Sequence, residues 1–265
     1  MFERLKKYLG VSVFVFIITL LIFGCMSLKT HVSTGQNQSY EMTSMSRVSK
    51  EFKIGSENFV FLLKQAEPIM DDMCKMIPVP CEPTISSTAS GLVLSSDDAS
   101  VFVITAAHFC VDSPESDILF KESIIGFAKD QPRELFVLML DTENDLCMLM
   151  GPKIKNEDFS DVKIASNFTI GEEVYAVAAP LSMAGPNLRM IFRGNLAGCN
   201  YNACLSTIPA TFGSSGGGIY NSRGELISIV MAVPEDFQHV AISPSNASLT
   251  KFIRDIDDIV DIYPY

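Results

Sequence analysis

From about residue 55 onward, short apolar runs alternate with clusters of Gly, Pro, Asn, Asp and Ser. Each run has the length of a β-strand, and turn residues separate it from the next run. The runs are TASGLVLSS, SVFVITAAH, ELFVLMLD, DLCMLM, EEVYAVAAP, RMIFRGNLAG, GGGIYN and ELISIVMAV. Many short strands at this spacing are typical of a β-sandwich or a β-barrel, so the pattern predicts an all-β domain.

The end of the chain has a different period. Apolar side chains recur at helical intervals among charged ones, at Leu249, Phe252, Ile253, Ile256 and Val260. This spacing predicts a C-terminal helix over about 246–262. The polar stretch from Gly151 to Asn167 is the expected connector between two groups of strands, at about 55–152 and 166–244.

Residues 1–25 have the composition of a targeting segment. Basic residues precede the apolar run VSVFVFIITLLIFG, which is shorter than the roughly 20 residues of a relaxed membrane span. LIFGC resembles a bacterial lipoprotein signal, in which the cysteine is lipidated, with Phe23 as a departure from that motif. Lipidation of Cys25, an uncleaved signal anchor and simple secretion stay open as alternatives. Each of them places the rest of the chain outside the cytoplasm.

Residues 26–54 are predicted to be a flexible spacer between this segment and the folded domain, 55–265. The spacer is polar, rich in Ser and Thr, and has no apolar periodicity. We therefore expect the domain to be attached to a membrane through its N-terminal segment, with secretion as the alternative.

Charge and histidine content exclude several classes of function. A formal net charge of −11 argues against general affinity for nucleic acid, which requires clustered Lys and Arg. The chain has three histidines and contains neither a CxxC nor an HExxH motif, which argues against a zinc site. We expect no metal and no other cofactor.

The cysteines suit an exported protein. Apart from the one in the signal segment there are six, an even number that permits three disulfides. The pairs closest in sequence are the predicted bridges, Cys74 with Cys81 and Cys199 with Cys204. For Cys110 and Cys147, a bridge between them and burial as free thiols both stay open.

Three polar residues stand at the edges of apolar runs in positions suited to catalysis. His108 follows a strand in TAAHFC, and Asp145 opens an apolar run in DTENDLCMLM, with Asp141 as a nearby competitor. Ser215 lies within the glycine-rich stretch GSSGGG. Taken singly, each feature is more often structural than catalytic. Taken together, the order His, Asp, Ser in an all-β chain is that of one type of catalytic triad.

These segments resemble the trypsin-like serine proteases. TAAHFC is similar to the TAAHC motif of that family, DLCML to its DIALL segment and GSSGGG to its GDSGGP motif. The resemblance is closest to the HtrA-type branch, in SSGGGIYNSRGELISIVMA and HVAISPSNASLTKFI, and runs from about Thr84 to Ile259. It implies the chymotrypsin fold, two six-stranded antiparallel β-barrels with a C-terminal helix, here without a PDZ domain.

The resemblance also implies a role for each site residue. A serine hydroxyl needs an adjacent base to become a nucleophile, and an imidazole can accept and return a proton near neutral pH. Ser215 would be the nucleophile, His108 the base and Asp145 the group that orients the imidazole. The backbone N–H groups of Gly213 and Ser215 would form the oxyanion hole.

A primary specificity pocket follows from the same alignment. Its expected lining is Pro209, Ala210, Thr211, Val230, Met231, Ala232 and Val233. No acidic residue is among them, so we expect small to medium aliphatic side chains before the scissile bond rather than Lys or Arg. Ser214 stands where trypsin has the acid that captures a newly cleaved N-terminus, so activation by prodomain cleavage is not expected. Met231 replaces a serine that supports the catalytic aspartate.

The sequence thus predicts a serine endopeptidase that is exported, is tethered to a membrane, and acts on proteins or peptides. Two other functions stay open as alternatives. One is a protease-like binding protein that has lost activity, against which the presence of all three triad residues argues. The other is an esterase or acyltransferase built on the same barrels.

Overall fold

Two six-stranded β-sheets account for most of the chain that the structure describes. The structure is a computed structural model and describes residues 55–68, 84–111, 120–182, 188–234, 237 and 239–262. The predicted signal segment with Cys25, the spacer and the predicted Cys74–Cys81 bridge lie outside these residues. Within them, no helix is long and apolar enough to span a membrane.

The first sheet is a closed antiparallel barrel with the strand order β1-β2-β3-β6-β5-β4. Its strands are β1 (Phe59–Pro68), β2 (Thr84–Ser96), β3 (Ser100–Ala106), β4 (Phe120–Ala128), β5 (Gln131–Asp141) and β6 (Leu146–Pro152). A single helical turn, α1 (Ala107–Cys110), continues directly from β3.

The second sheet has the order β11-β10-β7-β8-β9-β12. Its strands are β7 (Glu173–Ala178), β8 (Met190–Cys199), β9 (Ala203–Ser206), β10 (Gly218–Asn221), β11 (Leu226–Ile229) and β12 (Ala241–Pro244). The sheet curls until Ala232, just after β11, forms a bridge with Ile242 of β12. Helix α2 (Asn246–Ile262) follows. The predicted fold class, all-β with two six-stranded antiparallel β-barrels and a C-terminal helix, is confirmed: the first barrel is closed and the second is a curled half-barrel sheet.

The apolar runs are unbroken because the central strands bury both faces. Successive side chains of a strand point to opposite sides. In β3, Val101 and Val103 therefore pack inside the first barrel, whereas Phe102 and Ile104 join a second cluster. That second cluster also contains residues of β10, β11 and α2. It joins the two sheets.

Tyr220 lies in the cluster that joins the sheets. Its hydroxyl is buried and has no hydrogen-bond partner within the described part of the chain. Burial raises the pKa of Tyr220 above its ordinary range, so its phenol stays neutral. We therefore assign this tyrosine to packing.

Two disulfides cross-link the described residues, Cys110–Cys147 and Cys199–Cys204. The predicted Cys199–Cys204 bridge is confirmed, and of the two alternatives for Cys110 and Cys147 the structure has the bridge. Disulfides persist in oxidising compartments, so this pairing indicates a location outside the cytoplasm.

Replacing both Cys110 and Cys147 by alanine is expected to lower the free energy of unfolding by about 4 kcal/mol, because the bridge restricts a long loop of the unfolded chain. The two residues are 37 positions apart, whereas Cys199 and Cys204 are 5 apart. Removing the shorter bridge should cost only about 2 kcal/mol. Urea unfolding followed by circular dichroism measures both losses. Equal losses would contradict the loop-length argument.

Candidate active site

His108 and Asp145 form a two-point contact between α1 and the turn that precedes β6. The ring nitrogen Nδ1 of His108 lies 2.8 Å from Oδ2 of Asp145. The backbone N–H of His108 donates to Oδ1 of the same carboxylate at 2.7 Å. An ionised carboxylate only accepts hydrogen bonds, so Nδ1 carries the proton and Nε2 is left as an acceptor. The imidazole is half exposed and the carboxylate largely covered, at 53% and 18% exposure.

The turn between β5 and β6 explains why Asp145, rather than Asp141, meets the histidine. Oδ1 of Asp141 accepts hydrogen bonds from the backbone N–H groups of Glu143 and Asn144, at 3.1 and 3.0 Å. Asp141 therefore holds the turn. Asp145 adopts a positive φ of 54°, a conformation that aspartate tolerates better than most residues, and the turn delivers its carboxylate to His108.

The Cys110–Cys147 bridge holds the same two segments together. Each cysteine lies two residues beyond a member of the histidine–aspartate pair. The backbone N–H of Ala107 also donates to the carbonyl of Asp145 at 3.1 Å. The relative position of His108 and Asp145 is thus fixed by a covalent bond and by three hydrogen bonds.

Ser215 lies in a tight loop that leads into β10. Within the loop, the N–H of Ser214 donates to the carbonyl of Thr211 and the N–H of Gly217 to that of Ser214, both at 2.9 Å. Val230 holds the end of the loop nearest β10. Its carbonyl accepts a hydrogen bond from Gly216 N–H at 2.7 Å, and its N–H donates to the carbonyl of Gly217 at 2.8 Å. A strand follows this loop, as a nucleophile loop of an all-β fold requires.

His108 and Ser215 line one cavity of about 310 Å³. Its other walls include Phe109 and the exposed side chains of Leu181 and Phe212. Ser215 Oγ makes no hydrogen bond to any residue that the structure describes. Hydrogen bonds between a catalytic serine and its base often form fully only when substrate binds. The cavity brings together the predicted nucleophile and the predicted base.

Two backbone N–H groups beside this cavity, those of Gly213 and Ser215, have no acceptor among the described residues. They are the two predicted oxyanion donors. Gly213 has a φ of +87°, and a Cβ at this position would lie 2.5 Å from the carbonyl oxygen of Ala179. Only glycine fits this position, so its N–H can be presented without strain.

The predicted specificity residues lie beside the nucleophile loop but outside this cavity. Val230 is buried and hydrogen-bonded to the loop. Of the other predicted lining residues, Ala210 is buried, Pro209 is exposed, and four are half-buried: Thr211, Met231, Ala232 and Val233. Ala232 also pairs with β12, which orders the segment after β11.

The hairpin after Ser215 is closed by side chains at its turn. Oδ1 of Asn221 accepts from the backbone N–H groups of Arg223 and Glu225, at 2.9 and 3.0 Å. Hydrogen bonds from the side chains of Asn221 and Arg223 lower the pKa of the Glu225 carboxyl, which stays ionised. This hairpin returns the chain as β11, toward the segment predicted to line the pocket.

Residues near the site that were not predicted from the sequence include Ser90, Phe109, Leu181 and Phe212. Phe212 directly precedes Gly213 and is 88% exposed. A phenylalanine directly before the glycine-rich motif is the sequence signal for it. Ser90 contacts the loop from 123 residues upstream, and no local pattern marks it.

Comparisons with known proteins identify the family and the fold. A family model described as a trypsin-like peptidase domain matches residues 89–229, a range that contains His108, Asp145 and Ser215. Among solved structures, the inactive form of a serine-to-alanine mutant of Rv3671c from M. tuberculosis H37Rv is similar, with a TM-score of 0.56 and 13% identity. The match covers 79% of this chain and 91% of that chain, and at this identity it shows the fold. No curated protein matches the chain.

Proposed function

This chain belongs to the trypsin-like peptidase domain family, and on that premise we propose that it is a serine endopeptidase acting through an acyl-enzyme intermediate. The observation that carries the proposal is the imidazole of His108. Its Nδ1 bonds to Asp145 at 2.8 Å, and it shares a cavity with Ser215. A base held in the required tautomer beside a serine is the arrangement that activates a hydroxyl.

Each residue then has a defined role in acylation. Nε2 of His108 takes the hydroxyl proton as Ser215 Oγ attacks the peptide carbonyl carbon. The carbonyl oxygen becomes an anion that accepts hydrogen bonds from the N–H groups of Gly213 and Ser215. When the C–N bond breaks, His108 returns the proton to the leaving amine. Asp145 stabilises the imidazolium throughout.

Deacylation repeats these steps with water. His108 takes a proton from a water molecule that attacks the acyl carbon, and the same two N–H groups stabilise the second tetrahedral intermediate. The proton then returns to Ser215 Oγ, which releases the carboxylic acid product. Protein or peptide substrates are converted without a cofactor in this scheme.

The proposed location is outside the cytoplasm, with attachment to a membrane through residues 1–25. The disulfides support the first part of this proposal. Lipid on Cys25 or an uncleaved signal anchor would provide the attachment, and secretion is the alternative. Mass spectrometry of the native N-terminus distinguishes the three, because each leaves a different first residue or modification.

Labelling of the full chain with a fluorophosphonate probe tests the proposed chemistry. Such probes react with activated serines, so we expect one adduct, mapped by tandem mass spectrometry to Ser215 and absent from Ser214. An unlabelled protein would support the protease-like binding protein instead. Turnover of short esters without cleavage of peptides would support the esterase.

Substrate preference is expected to be apolar on both sides of the scissile bond. In the predicted pocket, Val230 and its neighbours would contact the side chain of the residue before the scissile bond. The leaving amine departs beside His108, where the cavity is walled by Phe109, Leu181 and Phe212. Digestion of a peptide library, read by mass spectrometry, should show aliphatic residues before the cut and large apolar residues after it. Cleavage mainly after Lys or Arg would contradict the expected pocket.

A further inference from the structure

Ser90 of β2 links the first barrel to the loop that carries Ser215. It is fully buried. Its hydroxyl donates a hydrogen bond to the carbonyl of Gly213 at 2.8 Å and accepts one from the backbone N–H of Ala179 at 2.9 Å. Its own backbone N–H donates to the carbonyl of Ser215 at 2.8 Å. One residue therefore holds the carbonyls of both predicted oxyanion donors.

The glycine content of the loop explains why such a contact is needed. Glycine populates several backbone conformations with similar ease, so Gly213, Gly216 and Gly217 do not define the loop by themselves. Among the described residues, the hydroxyl of Ser90 is the only side-chain group that hydrogen-bonds to the backbone of residues 213–218. The loop is oriented by backbone hydrogen bonds to Val230 and Leu181, and Ser90 adds the side-chain contact.

The hydrogen bonds of the loop show how this contact acts on the oxyanion site. The two groups of a trans peptide unit point in opposite directions, so a bond to the carbonyl of one residue also sets the direction of the N–H of the next residue. Leu181 N–H holds the Phe212 carbonyl at 2.6 Å, which turns the Gly213 N–H away from Leu181. The bond from the Ser90 hydroxyl holds the next peptide unit, that of the Gly213 carbonyl and the Ser214 N–H. Both peptide units that meet at Gly213 are thereby fixed.

The approach of Ser90 to the loop is close. A Cβ on Gly216 would lie 2.1 Å from the carbonyl oxygen of Ser90 and 2.2 Å from Oγ1 of Thr105. Thr105 Oγ1 in turn donates to that Ser90 carbonyl at 2.7 Å. Ser90 is thus held by its own barrel while it holds the loop.

We propose that Ser90 is a positioning residue for the oxyanion site: its hydroxyl fixes the Gly213–Ser214 peptide unit and its backbone N–H fixes the Ser215–Gly216 unit, so Gly213 and Ser215 are each held on their carbonyl side while their N–H groups face the substrate carbonyl oxygen. The inference rests on the proposed function. It assigns a catalytic consequence to a residue that lies outside the cavity and has no hydrogen bond to a triad side chain among the described residues. Loss of the hydroxyl leaves the Gly213 carbonyl and the Ala179 N–H without their partner, so the loop gains freedom where alignment matters most.

The test compares Ser90→Ala with Ser228→Ala. Ser228 is an equally buried serine whose hydroxyl donates to the Pro244 carbonyl at 2.8 Å. Both variants lose one buried serine hydroxyl, but only Ser90 contacts the loop. Since one oxyanion donor is worth about 10²–10³ in rate, a misaligned pair should lower kcat by about 10- to 100-fold in Ser90→Ala. KM should stay within about twofold, and Ser228→Ala should keep the wild-type kcat.

An inhibitor pair separates positioning from a general loss of structure. A peptide aldehyde adds Ser215 Oγ to its carbonyl carbon, with the hydroxyl proton passing to His108, and the hemiacetal oxygen takes the place of the oxyanion. The matching peptide alcohol binds without a covalent bond. In Ser90→Ala the aldehyde should bind more weakly by the factor lost in kcat/KM, while binding of the alcohol changes less than about twofold.

The outcomes distinguish this inference from the proposed function. If the wild-type chain neither cleaves peptides nor reacts with the probe, both fail. If the wild type is active and Ser90→Ala matches Ser228→Ala in kcat and in aldehyde binding, the positioning role alone is overturned. Should Ser90→Ala fail to fold, Ser90→Cys replaces it, because a thiol has nearly the same shape and is a weaker donor. An unchanged kcat in Ser90→Cys would likewise overturn the role.

Discussion

Replacing Ser215 by alanine is expected to lower kcat for peptide hydrolysis by about 10⁶-fold, because the triad acts as a unit and loses its nucleophile. The Gly213 and Ser215 N–H groups survive this change, so a residual rate of about 10³–10⁴ above uncatalysed hydrolysis should remain. Initial rates with a quenched fluorescent peptide, measured beside the rate of probe labelling, give both values. Labelling should fall to background.

Ser214→Ala is the matched control, since it removes the hydroxyl of the neighbouring serine. That hydroxyl is buried and accepts a hydrogen bond from the N–H of Thr211 at 3.3 Å. It has no contact with His108 among the described residues, so we expect activity within about tenfold of the wild type. If Ser214→Ala abolished labelling while Ser215→Ala kept it, the assignment of the nucleophile would be wrong.

The fold could be predicted from the sequence where burial leaves a pattern. Strands such as β3 and β6 bury both faces and read as unbroken apolar runs, and α2 buries one stripe at helical spacing. The strands β1, β4, β9 and β12 were not predicted. β1 does begin with an apolar run, FVFLL, whereas the other three lack such a pattern. β9 and β12 have four residues each; β9 pairs with both β8 and β12. β4 (FKESIIGFA) mixes charged and apolar residues without strict alternation.

Pairing partners distant in sequence were equally hard to predict. The sequence did not decide between a bridge and free thiols for Cys110 and Cys147. The decision comes from the sheet, because β3 pairs with β6 and sets Thr105 opposite Cys147. One turn of helix then brings Cys110 back over that pair. Local composition contains no information on this register.

The residues of the candidate site likewise divide into those marked by a local sequence pattern and those marked only by contacts between distant segments. His108, Asp145 and Ser215 were found because their motifs and order are local properties of the sequence. Ser90 was not, because its importance lies in contacts with Gly213 and Ala179, which lie in loops next to the other sheet. A serine in a strand has no distinguishing mark until its partners are known.

Asp145→Asn is expected to lower kcat by about 10⁴-fold while the fold is kept. The reason lies in the two hydrogen bonds that the carboxylate accepts from His108, one from the backbone N–H and one from Nδ1. An asparagine side chain has one acceptor oxygen and one donor NH₂ group. If its oxygen keeps the backbone N–H, its NH₂ faces Nδ1 and the ring must carry its proton on Nε2. In that tautomer the imidazole has no free acceptor for the proton of Ser215.

Asp141→Asn provides the comparison, because Asp141 is a carboxylate four residues away that holds the same turn without touching His108. Its Oδ1 accepts from two backbone N–H groups, and the oxygen of asparagine can replace that acceptor; only the bond from the Asn144 side chain to Oδ2, at 2.7 Å, is lost. We therefore expect Asp141→Asn to keep kcat within about tenfold of the wild type. Steady-state kinetics and thermal unfolding of both variants test the argument. If the two substitutions reduced kcat equally at similar stability, Asp145 would act by holding the turn and not by setting the tautomer of His108.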